Sequence, residues 1–320
     1  YYMNPLLVFW HLLTSDLLIS GGGSIFQDIT SSRSLPYYIS IVALAKLMGK
    51  PVIFYAQGVG PIDRPFSRWL MRLIANKVDL ITLRDEQSAE LLQEIGVIRP
   101  PLIITADPVF YLTAPEEASE SLLPLLQELG EKPLLGVAVR KWLPLEGYQE
   151  KLALVLDNLA RQGYQIIFIP MAYPEDVPES RRVAEHMQES AVIIDLPLSS
   201  DDHLALISRL DFMIGMRLHA LIFAANTGVT FAGISYDPKI DAFLKVFGQL
   251  PLSSDPELMQ QEVGVLLEDQ QLQEQMRHKA DHLCRQSADN ARLALSLLKE
   301  SPLPAEPVEE NEPQVGIQEQ

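Results

Sequence analysis

Arg217, His219 and Lys239 are the residues whose types and spacing best suit chemistry. They fall within SRLDFMIGMRLHALIFAANTGVTFAGISYDPK, residues 208–239. Two strand-like apolar runs, LDFMIG and VTFAGISY, flank the helix-like run LHALIFAANTG, which predicts a βαβ unit. Arg217 and His219 stand where the first strand gives way to the helix. Lys239 follows the second strand, past a turn at Asp237–Pro238. In an open α/β sheet both places lie at the carboxyl edge, where ligands bind. Three groups able to carry positive charge on one rim suit a small, highly charged anion. The same residues also fit a plainer role, with Arg217 in a helix-start ion pair and His219 a half-buried histidine.

The elements that position them must come from a chain of 320 residues, long enough for two domains. With 48% hydrophobic residues the chain can bury a core. A net charge of −17 excludes the basic footprint of a nucleic-acid binder. The single cysteine, Cys284, permits no intramolecular disulfide and fits a reducing, cytoplasmic compartment. The apolar run Pro5–Leu13 is too short to span a membrane. It lacks the basic flank and cleavage site of a signal peptide. It reads as a helix packed on the first strand.

Short Ile/Val/Leu runs alternate with three-turn helical patterns along both halves of the chain. Strands are predicted at Asp16–Ser20, Pro51–Gln57, Asp79–Leu83 and Leu102–Thr105. They recur at Leu134–Val139, Gln165–Pro170 and Val192–Asp195, before the βαβ unit. The fold class is therefore α/β, with two Rossmann-like lobes facing a cleft. Residues 1–115 form the N-terminal lobe, the acidic and proline-bearing 116–132 a linker, and 133–300 the C-terminal lobe. Ser121–Leu129 could be a helix inside that linker. The tail, 301–320, holds five glutamates, four prolines and no lysine or arginine, and is expected to be disordered.

Other strand ends carry further candidates. Gly21-Gly22-Gly23-Ser24 would let a ligand approach the backbone closely, although it is neither a GxGxxG nor a P-loop pattern. Gln27 and Asp28 follow within a turn or so. Arg84-Asp85, Asp107 and Arg140 also close strands. His278, His282 and Cys284 share a charged, solvated helical segment and are not read as a metal site.

Taken in order, GGGSIFQD, QGVGP, TLRDEQS, ADPVF, VAVRKW, GMRLHALIFAANTGV and YDPK resemble the polysaccharide pyruvyl transferase family, in particular its CsaB type. The resemblance spans roughly Asp16 to Phe247. It implies a GT-B-like fold and phosphoenolpyruvate as donor. It also implies a lipid-linked or polymeric saccharide as acceptor, and no metal or cofactor at the reaction centre. Peripheral association with the inner face of the membrane would follow from the acceptor. On this reading Arg84, Arg140, Arg217 and Lys239 hold phosphate and carboxylate, because cationic forks suit both groups. Gly22 and Gly23 line the binding loop. His219 moves protons, and Asp28 or another N-lobe carboxylate activates an acceptor hydroxyl. The family usually has one more βα unit, with a GNxGD-type loop, before the GGG strand, so the N-terminal lobe is expected to be incomplete. Two other readings stand beside this one. One is a GT-B glycosyltransferase or sugar-nucleotide enzyme; the other is a noncatalytic saccharide-binding subunit.

Overall fold

A computed structural model describes residues 4–298, apart from 30, 116–118, 121, 131 and 143–146. The tail at 301–320 and residues 116–118, 121 and 131 of the expected linker lie outside the described residues. The first half builds helix α1 (Pro5–Thr14), strand β1 (Leu18–Gly21), α2 (Ser34–Leu47), β2 (Val52–Gln57), α3 (Pro65–Ala75), β3 (Leu80–Leu83), α4 (Glu86–Ile95) and β4 (Leu102–Ile104). These strands are all parallel and lie in the order β1-β2-β3-β4. A sheet wound steadily in one direction by right-handed crossovers carries its helices on one face. That face buries Phe26, Leu35, Ile39, Phe54, Met71 and Leu92 against α2, α3 and α4.

After a 3-10 turn at Pro108–Tyr111 the second half runs α5 (Leu123–Leu129), β5 (Leu134–Ala138), α6 (Tyr148–Arg161), β6 (Gln165–Phe168), α7 (Val177–His186) and β7 (Ala191–Ile193). It continues through α8 (Ser200–Ile207), β8 (Phe212–Gly215), α9 (Leu218–Asn226), β9 (Thr230–Gly233), α10 (Pro238–Val246), α11 (Pro256–Glu268) and α12 (Gln270–Ser296). The sheet order is β7-β6-β5-β8-β9, again all parallel. The winding direction reverses between β5 and β8, so the crevice at their carboxyl ends is the place built to receive a ligand.

Local chemistry sets several helix boundaries. Helix α8 is capped by Ser199: its hydroxyl and the Asp202 carboxylate exchange bonds with each other's backbone N–H, a capping box. Helix α7 opens at Val177, with Pro178 in its first turn, and stops at His186 because Met187 turns extended. The long apolar-periodic stretch after Pro256 divides at Asp269. That residue's extended backbone ends α11, and its carboxylate accepts from Leu272 N at 3.0 Å to start α12.

Helix α12 crosses back to the first lobe. Its Leu293 and Ala294 pack on Ile53 and Leu80, on the sheet face opposite α2–α4. Asn290 is the polar centre of that contact and is fully buried. Its Oδ1 accepts from the hydroxyls of Thr82 (2.6 Å) and Thr105 (2.8 Å), and its amide donates to the carbonyls of Ala106 (3.0 Å) and Ser287 (3.2 Å). Replacing Asn290 with alanine removes these four buried bonds, leaves the Thr82 and Thr105 hydroxyls only their longer contacts to the carbonyls of Phe54 and Leu83 (3.3 Å each), and takes the amide donor from the Ala106 carbonyl. Each such loss is worth about 1 kcal/mol or more. Asn290→Ala is expected to lower stability by about 2–4 kcal/mol, read from the midpoint and slope of a urea unfolding curve.

Candidate functional site

The N-lobe wall of the cleft starts from a defect in β2. Ala56 adopts φ +45°, a left-handed conformation that non-glycine residues rarely take. Its N–H donates to Thr82 Oγ1 at 2.7 Å, and the β2–β3 register slips between Phe54 and Gln57. The bulge turns the chain out of the sheet into Gly58-Val59-Gly60. Gly58 N then donates to Gly23 O at 2.9 Å, which ties the two glycine loops together. A side chain at Gly58 would put a Cβ 2.7 Å from Arg84 Nε and 2.9 Å from Ser24 Oγ. Only glycine leaves room for Arg84 to lie across the loop.

Arg84 donates to Asp107 Oδ2 at 2.6 Å and to Ser24 Oγ at 3.0 Å. The Arg84 and Asp107 side chains are only 11% and 9% exposed, so this is a buried ion pair joining the ends of β3 and β4. Asp107 also accepts from Val109 N at 3.1 Å, which opens the 3-10 turn.

The C-lobe wall lies at the reversal of the winding. Arg217, after β8, directs Nε and Nη2 at the two oxygens of Asp176, the former at 2.9 Å. Asp176 is buried and also accepts from Ala172 N at 2.9 Å. Arg217 is the residue before α9, and no side chain caps that helix. The positive end of the helix therefore opens toward the cleft. Arg140, after β5, donates from Nη1 to the Tyr236 hydroxyl at 2.7 Å. Its guanidinium lies 4.9 Å from the centre of the Tyr236 ring and 5.7 Å from that of Trp142.

Between the walls is a chamber of about 620 Å³ lined by Ser24, Arg84, Arg217, His219 and Lys239, with Gly23 at its margin. The candidates from distant strand ends thus meet in one place. A second cavity of about 750 Å³ adjoins on the N-lobe side, lined by Asp63, Arg68, Asp85 and Gln87, with Ser24, Asp237 and Lys239 common to both. Gly22 and Gly23 take φ of +84° and +75° in open space, so the turn itself requires glycine.

Three expectations change. Arg84 and Arg217 are not free cations, because each is matched by a buried aspartate. The open positive groups of the chamber are the exposed Lys239, which has no ion pair among the described residues, and the start of α9. Arg140 lines neither cavity and instead backs Tyr236, which lines the 620 Å³ chamber. Asp28 is buried, with its oxygens accepting from Asp63 N (3.1 Å) and Arg64 N (2.9 Å). Burial alone would raise its pKa, but these bonds, Ser67 and Arg64 together bring it below the ordinary carboxylate value. A carboxylate so occupied holds the Asp63–Arg64 loop.

His219 is exposed to the solvent of the chamber, with protein atoms of both walls crowding its ring. Burial pushes its pKa below the ordinary histidine value; Asp107 opposes the shift, and Arg84 and Arg217 add to it. The ring is thus neutral at pH 7 and able to accept a proton.

Sequence reasoning missed Asp176 and His203. Asp176 sits in the Pro-rich turn before α7, and nothing in its spacing ties it to Arg217. His203 lines the chamber from within α8. Its Nδ1 lies 2.9 Å from Ser199 O and its Nε2 3.1 Å from Pro170 O, so its ring pins two loops of the C-lobe wall.

Asp107→Asn tests the wall. Leaving Arg84 buried with a neutral partner is expected to lower stability by about 2–4 kcal/mol, read by urea unfolding. It also removes the negative neighbour that holds the His219 pKa up. An NMR titration should therefore find His219 protonating at still lower pH in the variant.

A sequence profile described as polysaccharide pyruvyl transferase matches residues 2–238. The amylovoran biosynthesis protein AmsJ of Erwinia amylovora is 22% identical over 259 residues, 75% of this chain. The chain spans 61% of that relative's length. Among solved structures, a protein described as a UDP-N-acetylglucosamine 2-epimerase of Listeria monocytogenes superposes with a TM-score of 0.68 at 14% identity, over 93% of this chain and 80% of its own. The UDP-GlcNAc 2-epimerase of Methanocaldococcus jannaschii gives 0.66 at 12% identity, over 91% and 80%. At such identities the superpositions establish the architecture alone: two Rossmann-like lobes across a cleft, in the GT-B manner. The ordered strand-end motifs, the chamber they line and the profile match agree, and the chain belongs to the polysaccharide pyruvyl transferase family.

Proposed function

We propose that the protein transfers the enolpyruvyl-derived group of phosphoenolpyruvate to a saccharide in polysaccharide synthesis, forming a pyruvate ketal and releasing phosphate. The observation that carries this reading is the meeting of Ser24, Arg84, Arg217, His219 and Lys239 around one chamber. Lys239, the uncapped start of α9 and the remaining Nη1 edge of Arg217 receive the donor's phosphate and carboxylate. The ion-paired arginines supply oriented N–H groups at fixed positions.

Two acceptor hydroxyls add to C2 of the donor. One of their protons ends on C3, making the methyl group, and the other leaves with phosphate. His219, on the wall of the 620 Å³ chamber, is the group that takes a hydroxyl proton and returns it. Such transfers are worth roughly 10²–10⁴ in rate. The acceptor occupies the 750 Å³ cavity, where Asp63, Asp85 and Gln87 offer the hydrogen-bonding groups a sugar needs. Asp63 and Asp85 replace Asp28 as the N-lobe carboxylates beside the acceptor. The lipid-linked form of that acceptor, at the inner face of the membrane, belongs to the same proposal.

Phosphate release from phosphoenolpyruvate with lipid-linked or polymeric saccharides tests the reading directly. No release, together with thermal stabilisation by UDP-sugars and none by phosphoenolpyruvate, hands the site to nucleotide-sugar chemistry. His219→Ala is expected to cut kcat by roughly 10²–10⁴ with a modest change in donor affinity. Lys239→Ala is expected to weaken donor binding about tenfold or more with a smaller effect on single-turnover rate. A His219→Ala protein that folds and turns over normally removes His219 from the mechanism. The pH profile has a defined sign. The base must be neutral, so kcat/KM falls as pH drops through the free-enzyme pKa, below the ordinary histidine value of about 6.5. Bound donor adds negative charge beside the ring and favours the imidazolium. The acid limb of kcat should then lie at higher pH than that of kcat/KM.

A further inference from the structure

Helix α3 carries its apolar residues on both sides. Ser67, Met71, Ile74 and Ala75 face the sheet and are buried. Phe66, Trp69 and Leu73, at i, i+3 and i+7, make an opposite stripe that faces solvent. Phe66 is 61% and Trp69 56% exposed, and their rings stack with centroids 5.9 Å apart. Arg64, Arg68 and Arg72 run alongside at four-residue spacing.

The charge around this stripe is segregated. The segments 4–15, 33–50 and 64–78, which hold α1, α2 and α3, contain seven of the chain's 25 lysines and arginines and none of its 42 aspartates and glutamates. Lys46 and Arg68 are paired with Asp79 and Glu94 from outside these segments, so Arg64 and Arg72 are the exposed arginines left beside the stripe, in a chain of net charge −17. Helix α2 adjoins α3 and adds the exposed Tyr37 and Leu47.

We infer that the α2–α3 face is a docking surface for an anionic lipid bilayer, with Phe66 and Trp69 inserted at the headgroup level and Arg64 and Arg72 on the lipid phosphates. Aromatic rings flanked by arginines are the residues that favour that interface. Each basic residue near an anionic surface strengthens binding by roughly fivefold. A second copy fits worse, because a two-fold self-contact would set rows of arginine against themselves. Among the described residues no helix is long and apolar enough to cross a membrane, so this face would rest on the bilayer. Arg68 belongs both to α3 and to the wall of the 750 Å³ cavity, so docking would set that cavity's mouth near the membrane.

The surface is independent of the donor chemistry, and its test uses no substrate. The full chain is sedimented with vesicles of phosphatidylcholine containing roughly 30% phosphatidylglycerol, and with phosphatidylcholine alone. Binding is expected to the anionic vesicles and to weaken as salt rises from about 0.1 M to about 1 M. Phe66→Ala/Trp69→Ala and Arg64→Gln/Arg72→Gln should each melt like the parent and bind about tenfold more weakly or worse. Three results overturn the inference. The parent protein could ignore anionic vesicles. Both double variants could sediment as it does. Light scattering could find a dimer that Phe66→Ala/Trp69→Ala splits, which assigns the face to a second copy.

Discussion

The buried pair of Arg84 and Asp107 fixes the cleft. It spans the carboxyl ends of β3 and β4, so the rim of the first sheet is held by charge as well as by strand pairing. Moving a guanidinium out of water is expensive unless every donor finds an acceptor. That demand propagates through the wall. Ser24 must present its hydroxyl, which needs the glycine turn before it. Gly58 must lack a side chain, which the left-handed Ala56 and the Thr82 hydroxyl deliver to the right place. Asp107 then anchors the 3-10 turn against which α12 packs. The site is thus continuous with the contact at Asn290, where the same helix is bonded to Thr82, Thr105 and Ala106.

Much of this was legible in the residues. Alternating apolar runs of strand and helix length gave both parallel sheets. The rule that ligands bind at strand carboxyl ends pointed to Arg84, Arg217, His219 and Lys239 before their distances were known. Charge state was not legible. Arg217 reads equally as an anion ligand or as a helix-start ion pair, and only tertiary packing brings its partner, Asp176, from a turn some forty residues earlier. Asp28 reads as a rim carboxylate because its sequence position follows a glycine loop. The fold instead turns it inward to satisfy two backbone N–H groups of a loop more than thirty residues away. Helix caps fell in between. Ser199 and Ser200 are equally good caps by type, and the Asp202 partner three residues after Ser199 decided the matter.

A strongly acidic chain with an anion as its proposed ligand must solve a conflict between its overall field and its local chemistry. Here the solution is segregation. The acids of the cleft rim are mostly used to hold arginines, so Asp107 and Asp176 each cancel a charge while leaving N–H groups aimed at the chamber. The lysine that remains uncancelled sits on the opposite lobe from Arg84, at the start of α10.

Cancelling the arginines has a kinetic logic. An anion pocket of three bare cations would bind a released phosphate as firmly as the phosphate ester that delivered it, and uniform binding of that kind does not accelerate turnover. Arginines already satisfied by aspartates act chiefly as oriented dipoles, whose pull falls off faster than that of a charge. They reward an anion only when it is correctly placed. A lone lysine on a flexible stem can follow the phosphate as it leaves. The same cancellation governs His219. Asp107 opposes Arg84 nearby, so the downward shift of the ring comes first from its burial. Balanced charge in the walls and one uncancelled cation across the cleft are therefore two parts of one design, suited to the donor proposed above, which would arrive as a highly charged anion and leave its phosphate behind.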